Sequence, residues 1–243
     1  MNKPIPIREG DVRPDTALKL YRTPPPFPSL HDEVYASLCQ ALMTGDLVPG
    51  QAVSIRSLAE TFGAGMIPTR DAIKRLVAER ALTVLPNRAV VVAKMTRRRF
   101  QEILNVRLCV EPMLARHAST RIAPAAIAGL ESINQEMQRA VETGAVKTYL
   151  ICNQRFHFEL YAAARSSVMY PIAESLWMQV GPFLNGVFTQ SGTRNAQDNH
   201  SEVLKALRRA AHGDVALAIQ RDLSDAADTV LAHNDFVEEA DHI

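Results

Sequence analysis

Apolar side chains recur along this chain with a helical period, interrupted by one short stretch that alternates like a strand. Residues 1 to 28 follow neither pattern and end in "TPPPFPS", where the prolines favour extended backbone, so an arm is expected there. From Ser29, Leu30, Val34, Leu38, Ala41 and Leu42 predict a helix that stops at the turn residues of "TGDLVPG". Ser54 is placed to cap a short helix over "IRSLAETF", ending at Gly63. After the turn "GAGM", the stretch "IPTRDAIKRLVAERA" predicts a further helix. Pro68 suits its first turn, Ile73, Leu76 and Val77 form its apolar side, and Arg70, Lys74 and Arg75 face outward. Two β-rich runs in "LTVLPNRAVVVAKM" then flank Pro86-Asn87-Arg88, a hairpin signal. Helix, helix, turn, helix, hairpin is the order of a winged helix-turn-helix.

From Thr96, a candidate cap beside the basic cluster "TRRRF", only helical periodicity follows. It is broken at Pro124, Gly144, Ser166-Ser167, "QSGTRNAQDN" and Gly213, and it predicts about six helices of the kind that form a bundle. The fold class is therefore mainly α. The expected division is an arm over 1–28, a winged domain over 29–95 and an all-helical domain over 96–243.

Four of the predicted helices carry polar residues on their inward stripes. Phe100, Ile103, Leu104, Leu108 and Leu114 share a face with Arg107 and Glu111, while Leu150, Phe156, Leu160 and Ala164 share one with Asn153 and His157. His200 lies on the line of Val203, Leu204, Leu207 and Ala211, and Asp222 on that of Val215, Ile219, Leu223, Ala226 and Val230. Unpaired buried charges cost several kcal/mol, so these groups are expected to face one another around one polar cavity. Two histidines and a carboxylate suit Zn²⁺, Ni²⁺ or Mn²⁺, with the Asn153 amide oxygen as a weaker fourth ligand. Arg107 has the fork that grips a carboxylate at two points. His31, His117, His212, His233 and His242 fall off these stripes and read as structural or surface residues, and Phe183, Phe188 and Trp177 as core or pocket wall.

Charge refines the division. The net charge is only +1, but residues 1 to 99 carry 15 Lys and Arg against 9 Asp and Glu, and the remainder 12 against 17. A basic front thus precedes an acidic back. Three cysteines, Cys39, Cys109 and Cys152, contain no C-x-x-C pair, which gives no disulfide framework or thiolate zinc site. No apolar run is long enough to span a bilayer and the first residues lack the apolar core of a secretory signal, so a cytoplasmic, nucleoid-associated protein is expected. In a helix-turn-helix the second helix enters the major groove by its N-terminal end. Here that end is "GMIPTRD", and Arg70 can bridge two guanine acceptors or clamp a phosphate, flanked by Arg56 and by Arg88 at the hairpin tip.

Residues 34 to 92 resemble the N-terminal domain of the GntR family of bacterial transcription regulators. The likeness is carried by "G-x-L-x-P-G" at Gly45 to Gly50, "LAE" at Leu58 to Glu60, "P-x-R-[DE]-A" at Pro68 to Ala72 and "LPNR" at Leu85 to Arg88. It implies DNA contacts for Arg56 and Arg70. Gly65 and Met66 stand where the family usually has a serine or threonine and then an arginine, which implies a different operator sequence. Arg80 and Ala89 stand where it commonly has glycines, and Arg80 is a candidate for a compensating phosphate contact. Residues 100 to about 235 resemble the ligand-binding domain of the FadR subfamily, called FCD, on Arg107 and Glu111, on "N-x-x-F-H" at Asn153 to His157, and on His200 with Asp222. The resemblance implies a metal, a small organic acid bound over it, a homodimer, a palindromic operator and repression as the default. By position, Asn153 replaces the usual aspartate and Asp222 the usual last histidine.

The expected DNA-binding residues are therefore Arg56, Gly65, Met66, Arg70, Lys74 and Arg88. Asn153, His157, His200 and Asp222 are the expected metal ligands, and Arg107 is the expected effector contact. Two rival readings are a metal-dependent enzyme, because two histidines and a carboxylate also describe an oxygenase triad, and a DNA-binding module whose bundle is purely structural.

Overall fold

Helix α1 (Leu30–Met43) buries Val34, Leu38, Cys39 and Leu42 along one face. The protein is described here by a computed structural model covering residues 30–188 and 193–238; the arm expected over 1–28 lies outside these residues. Helix α2 (Ile55–Thr61) starts where the Ser54 hydroxyl accepts the N–H of Ser57 at 3.3 Å. Helix α3 (Met66–Ala78) starts at Gly65 and turns Thr69, Ala72, Ile73 and Leu76 inward against α1. Strands β1 (Leu82–Val84) and β2 (Val90–Val92) pair antiparallel with Leu82 opposite Val92, and the Asn87 side chain accepts the N–H of Ala89 in the turn between them. These are the winged helix-turn-helix elements in the expected order.

The end of α3 explains one unusual residue. The N–H of Ala81 reaches Leu76 and that of Arg80 reaches Val77, both at 3.0 Å. This closure puts Arg80 at φ 61°, the left-handed region glycine prefers, at a cost of roughly 1 kcal/mol for a side-chain-bearing residue. Arg80 thereby lies beyond the opposite end of α3 from Arg70, ten residues or about 15 Å along the helix direction.

Six helices follow among the described residues: α4 (Arg97–Ser119), α5 (Pro124–Glu142), α6 (Val146–Ala162), α7 (Met169–Phe188), α8 (Thr193–Arg208) and α9 (His212–His233). Thr96 caps α4 by accepting the N–H of Arg99 at 3.1 Å, and Pro124 opens α5. Helix α4 packs on α9, α5 on α6, and α8 on both α5 and α9. Two boundaries differ from expectation. Helix α8 already begins at Thr193, since no glycine or proline follows Gly192 in that segment. The break before α9 falls at Ala210, with φ 51°, so Gly213 sits in the first turn of the helix. On α9 the buried stripe runs through Ala227, with Ala226 half-exposed, because the helical period drifts by one residue over that length.

The winged unit is seated directly on the bundle. Helix α1 packs against α7, and a Cβ at Gly181 would collide with the Leu42 carbonyl oxygen and the Met43 backbone. Gln40 of α1 donates to Gln154 of α6 at 3.1 Å, and Asp46 pairs with Lys147 at 3.0 Å. Glycine at 181 is thus a packing requirement. Gly181→Ala is expected to destabilise the protein by about 1–3 kcal/mol in urea unfolding, the usual cost of overpacking. Gly213→Ala, whose surroundings are open, should lack that overpacking cost in the same measurement.

Candidate functional site

The exposed face of the winged unit is built on three short elements. Arg70 projects from α3 into solvent and makes no ion pair or hydrogen bond among the described residues, so its donors are all available. Lys74, one turn further on, holds Asp71 at 3.2 Å, and Arg56 holds Glu60 at 3.0 Å. Both pairs are solvent-exposed and of the kind worth 1 kcal/mol or less, so exchanging them for phosphate costs little. Arg88 is exposed at the hairpin tip with φ 66°. Gly65 supplies extended backbone at the start of α3 without a capping side chain, which leaves amides there free to meet an anion. Met66 is exposed and Ile67 beside it is 74% exposed. Ile67 escaped the sequence reading: as a lone apolar residue it carries no charge signal, but at a reading end it can pack on a thymine methyl.

The second site lies inside the bundle. Arg107, Glu111, His157, His200 and Asp222 are all buried, and four helices deliver them: α4 the first two, then α6, α8 and α9. Glu111 is fully buried and accepts from Arg107, from the Tyr161 hydroxyl at 2.8 Å and from the Trp177 indole at 2.8 Å. The Arg107 guanidinium also lies 4.8 Å from the centre of the Trp177 ring. The Tyr161 oxygen in turn stands 3.1 Å from His157 Nδ1. Because the Tyr161 proton goes to the Glu111 carboxylate, that oxygen accepts from Nδ1–H. The neutral His157 ring therefore carries its lone pair on Nε2.

That lone pair faces the Asp222 carboxylate, an acceptor, and His200 Nε2, whose role depends on its tautomer. His157 Nε2 is 3.1 Å from Asp222 Oδ2 and 3.2 Å from His200 Nε2, and His200 Nε2 is 3.8 Å from Asp222 Oδ1. Burial alone would raise the Asp222 carboxyl; with the two imidazoles protonated, the charge on His200, the Nε2–H bond and charge of His157 and the nearby Arg107 together hold it below the usual carboxylate range. Tyr149, also buried, is pushed up by burial and then by the nearness of Asp222. Three donor groups whose ligating atoms lie within 4.8 Å of one another need a cation between them, either a proton or a metal. Two ligands about 2.05 Å from a shared tetrahedral Zn²⁺ are about 3.3 Å apart, close to the separations observed. The residues present fit a divalent metal.

Asn153 is half-exposed and makes no hydrogen bond among the described residues. Arg107 faces inward and gives Nε and Nη2 to Glu111, with no Nη1 hydrogen bond among the described residues. The sequence reading missed Tyr161 as part of the site, although it lies four residues after His157 on the same face. His212, read as structural, pairs through Nδ1 with the Ser119 hydroxyl at 2.9 Å, and His117 and His233 are exposed. His31 and His242 lie outside the described side chains.

The fold and these two sites define a DNA-binding regulator with a helical ligand-type domain, and comparison with known proteins agrees. Residues 30–92 match the model of bacterial regulatory proteins of the gntR family, and residues 102–225 match the FCD domain. The chain belongs to the FCD-containing branch of the GntR family and is a transcription regulator, not an enzyme. It is similar to the HTH-type transcriptional regulator McbR of Escherichia coli K12, at 29% identity over 183 residues, covering 74% of this chain and 83% of McbR. The solved structure of E. coli McbR/YncC superposes with a TM-score of 0.78 at 26% identity, covering 84% of this chain and 98% of that one. The HTH-type transcriptional repressor GlaR of E. coli K12 is 30% identical over 87 residues, 36% of this chain and 40% of GlaR.

Removing the Glu111 charge isolates a buried guanidinium. Glu111→Gln is expected to lose about 3–5 kcal/mol of stability, the cost of breaking a buried pair from one side. A shift of less than 1 kcal/mol in the same urea titration would mean that the Glu111 contacts are not what holds this part of the core.

Proposed function

We propose that the protein is a repressor that binds a palindromic operator as a homodimer and releases it when a small carboxylate enters the helical domain. In this reading residues 29–95 form the DNA-reading head and residues 96–243 the sensing and dimerisation domain, acting in the cytoplasm on the nucleoid. Arg70 reads base edges or clamps a phosphate; Arg56, Lys74 and Arg88 hold the DNA backbone; Gly65 and Met66 set the close approach at the start of α3. Repression is supported by the likeness to GlaR, named a repressor, over part of the chain.

The observation that carries the sensing half is the orientation of His157, whose Nε2 lone pair is aimed at Asp222 and His200. His157, His200 and Asp222 would hold Zn²⁺, Ni²⁺ or Mn²⁺, with the Asn153 amide oxygen as the candidate fourth ligand. The bound metal would supply positive charge that attracts a carboxylate. Arg107 would bind the same carboxylate by giving up part of its contact with Glu111. Coupling is supported by the shared helices: α6 carries His157 and the Gln154 that holds α1, while α7 carries Trp177 and the Gly181 that α1 packs on. A ligand that moves either helix shifts the head and changes operator affinity.

Arg70→Ala should weaken operator binding in a gel-shift assay by about tenfold to a hundredfold while leaving thermal unfolding unchanged. Unaltered affinity would exclude Arg70 from the interface. For the sensing half, chelator-treated protein should unfold at higher temperature once Zn²⁺, Ni²⁺ or Mn²⁺ is added, and His157→Gln should remove that shift. No shift with any of the three would leave a proton in place of the metal. If Asn153→Asp binds metal no more tightly than the parent, Asn153 is outside the ligand set.

A further inference from the structure

Where the head meets the bundle, arginines gather without enough carboxylates to match them. Arg80, just past the end of α3, and Arg98 and Arg99, in the first turn of α4, line a groove of about 620 Å³. Among the described residues the one carboxylate lining it is Glu102, which already holds Arg98 at 3.1 Å. The Arg80 side chain makes no ion pair or hydrogen bond among the described residues. Arg99 is half-buried and gives Nη2 to the side-chain oxygen of Gln179 at 2.9 Å, a neutral partner, while its Nε and Nη1 make no hydrogen bond among the described residues. Burial, and then the like charge of Arg80, lower the Arg99 guanidinium, with only Glu102 pulling the other way. Arg80 also sits at φ 61°, a left-handed position that glycine occupies without strain. A strained residue whose side chain finds no partner inside the chain is placed for one outside it.

We propose that this groove is a separate ligand site, taking an organic phosphate whose dianionic head lies between Arg80 and Arg99 and whose apolar body lies along Ile103 and Leu176. A guanidinium presents a planar fork to an oxyanion, and two of them at one phosphoryl group answer both of its charges. The two like charges that oppose each other in the free protein then share one counter-charge. Ile103 and Leu176, with Val106 at the edge, offer no charge for a second anionic group, which favours a ligand with one charged end. The volume is in the range of small-molecule sites.

Position favours a free phosphate over one of the DNA backbone. Arg80 stands at the base of the wing, whereas Arg88 is at its tip, and Arg70 is about 15 Å away along the direction of α3. A small ligand can therefore enter while the reading end of the head is occupied. The groove is also distinct from the buried cavity, since none of His157, His200 and Asp222 lines it. Arg80 belongs to the head, and Arg99 and Gln179 belong to the bundle. One anion held from both sides thus fastens head to bundle. Any resulting change in operator affinity rests on the regulator reading above; the binding site does not.

The test titrates phenyl phosphate into full-length, chelator-treated protein by calorimetry, in buffer free of phosphate and sulfate. Phenyl phosphate should bind about tenfold or more tightly than inorganic phosphate, because only its ring covers Ile103 and Leu176. Arg80→Gln and Arg99→Gln should each weaken it about tenfold or more, Arg80→Lys should lose less, and His157→Gln should leave it unchanged. Thermal unfolding of unliganded Arg80→Gln should not fall below that of the parent, since no partner inside the chain is lost. Unchanged affinity in both glutamine variants, or a loss in His157→Gln instead, overturns the site. Affinity no greater than that of inorganic phosphate overturns the apolar body. Failure of phenyl phosphate to bind overturns the proposal, and if Arg80→Gln then weakens operator binding, the arginines hold the DNA backbone instead.

Discussion

The Glu111 carboxylate, fully enclosed on α4, cannot be left without donors, and three side chains from three helices supply them. Arg107 comes from its own helix, Tyr161 from α6 and Trp177 from α7. Each of those donors is thereby fixed in orientation. Trp177 takes the guanidinium of Arg107 against its ring, so charge and aromatic surface are satisfied together. Tyr161 passes the constraint on to His157. The position of the metal-type donors thus follows from a carboxylate that is not itself among them. Such a buried ion pair is not favoured over an apolar core for stability alone; what it provides here is one defined arrangement of three helices.

That arrangement bears on the winged unit because the same helices support it. Helix α7 presents Trp177 to Glu111 and, one turn later, Gly181 to the end of α1. Helix α6 presents His157 and Tyr161 to the interior and Gln154 to Gln40. A backbone-to-backbone contact like that at Gly181 has no flexible side chain to absorb a displacement. Movement of α7 is therefore transmitted to α1, which in turn forms the floor under α3.

Much of this was legible from periodicity. The winged elements, the Ser54 and Thr96 caps and the six helices of the bundle are local signals: apolar spacing, a capping hydroxyl, a proline or glycine at a boundary. The convergence of Arg107, Glu111, His157, His200 and Asp222 was also readable, because a charged residue on an apolar stripe must find a partner. Pairing within the group was not. The i, i+4 spacing permits the Arg107–Glu111 pair, but nothing in the sequence tells that Tyr161 links that pair to His157, since this depends on how neighbouring helices rotate. Asn153 shows the limit of stripe arithmetic: it shares the face of His157, but one turn along α6 is enough to leave it half-exposed. Gly181 gave no signal either, because the backbone that needs its missing side chain is about 140 residues away in sequence.

The hydrogen-bond direction through Tyr161 decides what the site can hold. A phenol between a carboxylate and an imidazole has one proton to give, and the carboxylate, already facing Arg107, is the acceptor. His157 must then donate through Nδ1, which turns Nε2 into a base pointing at a second carboxylate. Two acceptors 3.1 Å apart in a buried space repel unless a cation lies between them. If the cation is a proton, His157 is an imidazolium held by Asp222. If it is a divalent metal, the same Nδ1 bond becomes the outer support that orients a ligating histidine and raises its basicity. Both states use the same residues in the same geometry, so Tyr161 and Glu111 prepare the site for whichever cation arrives.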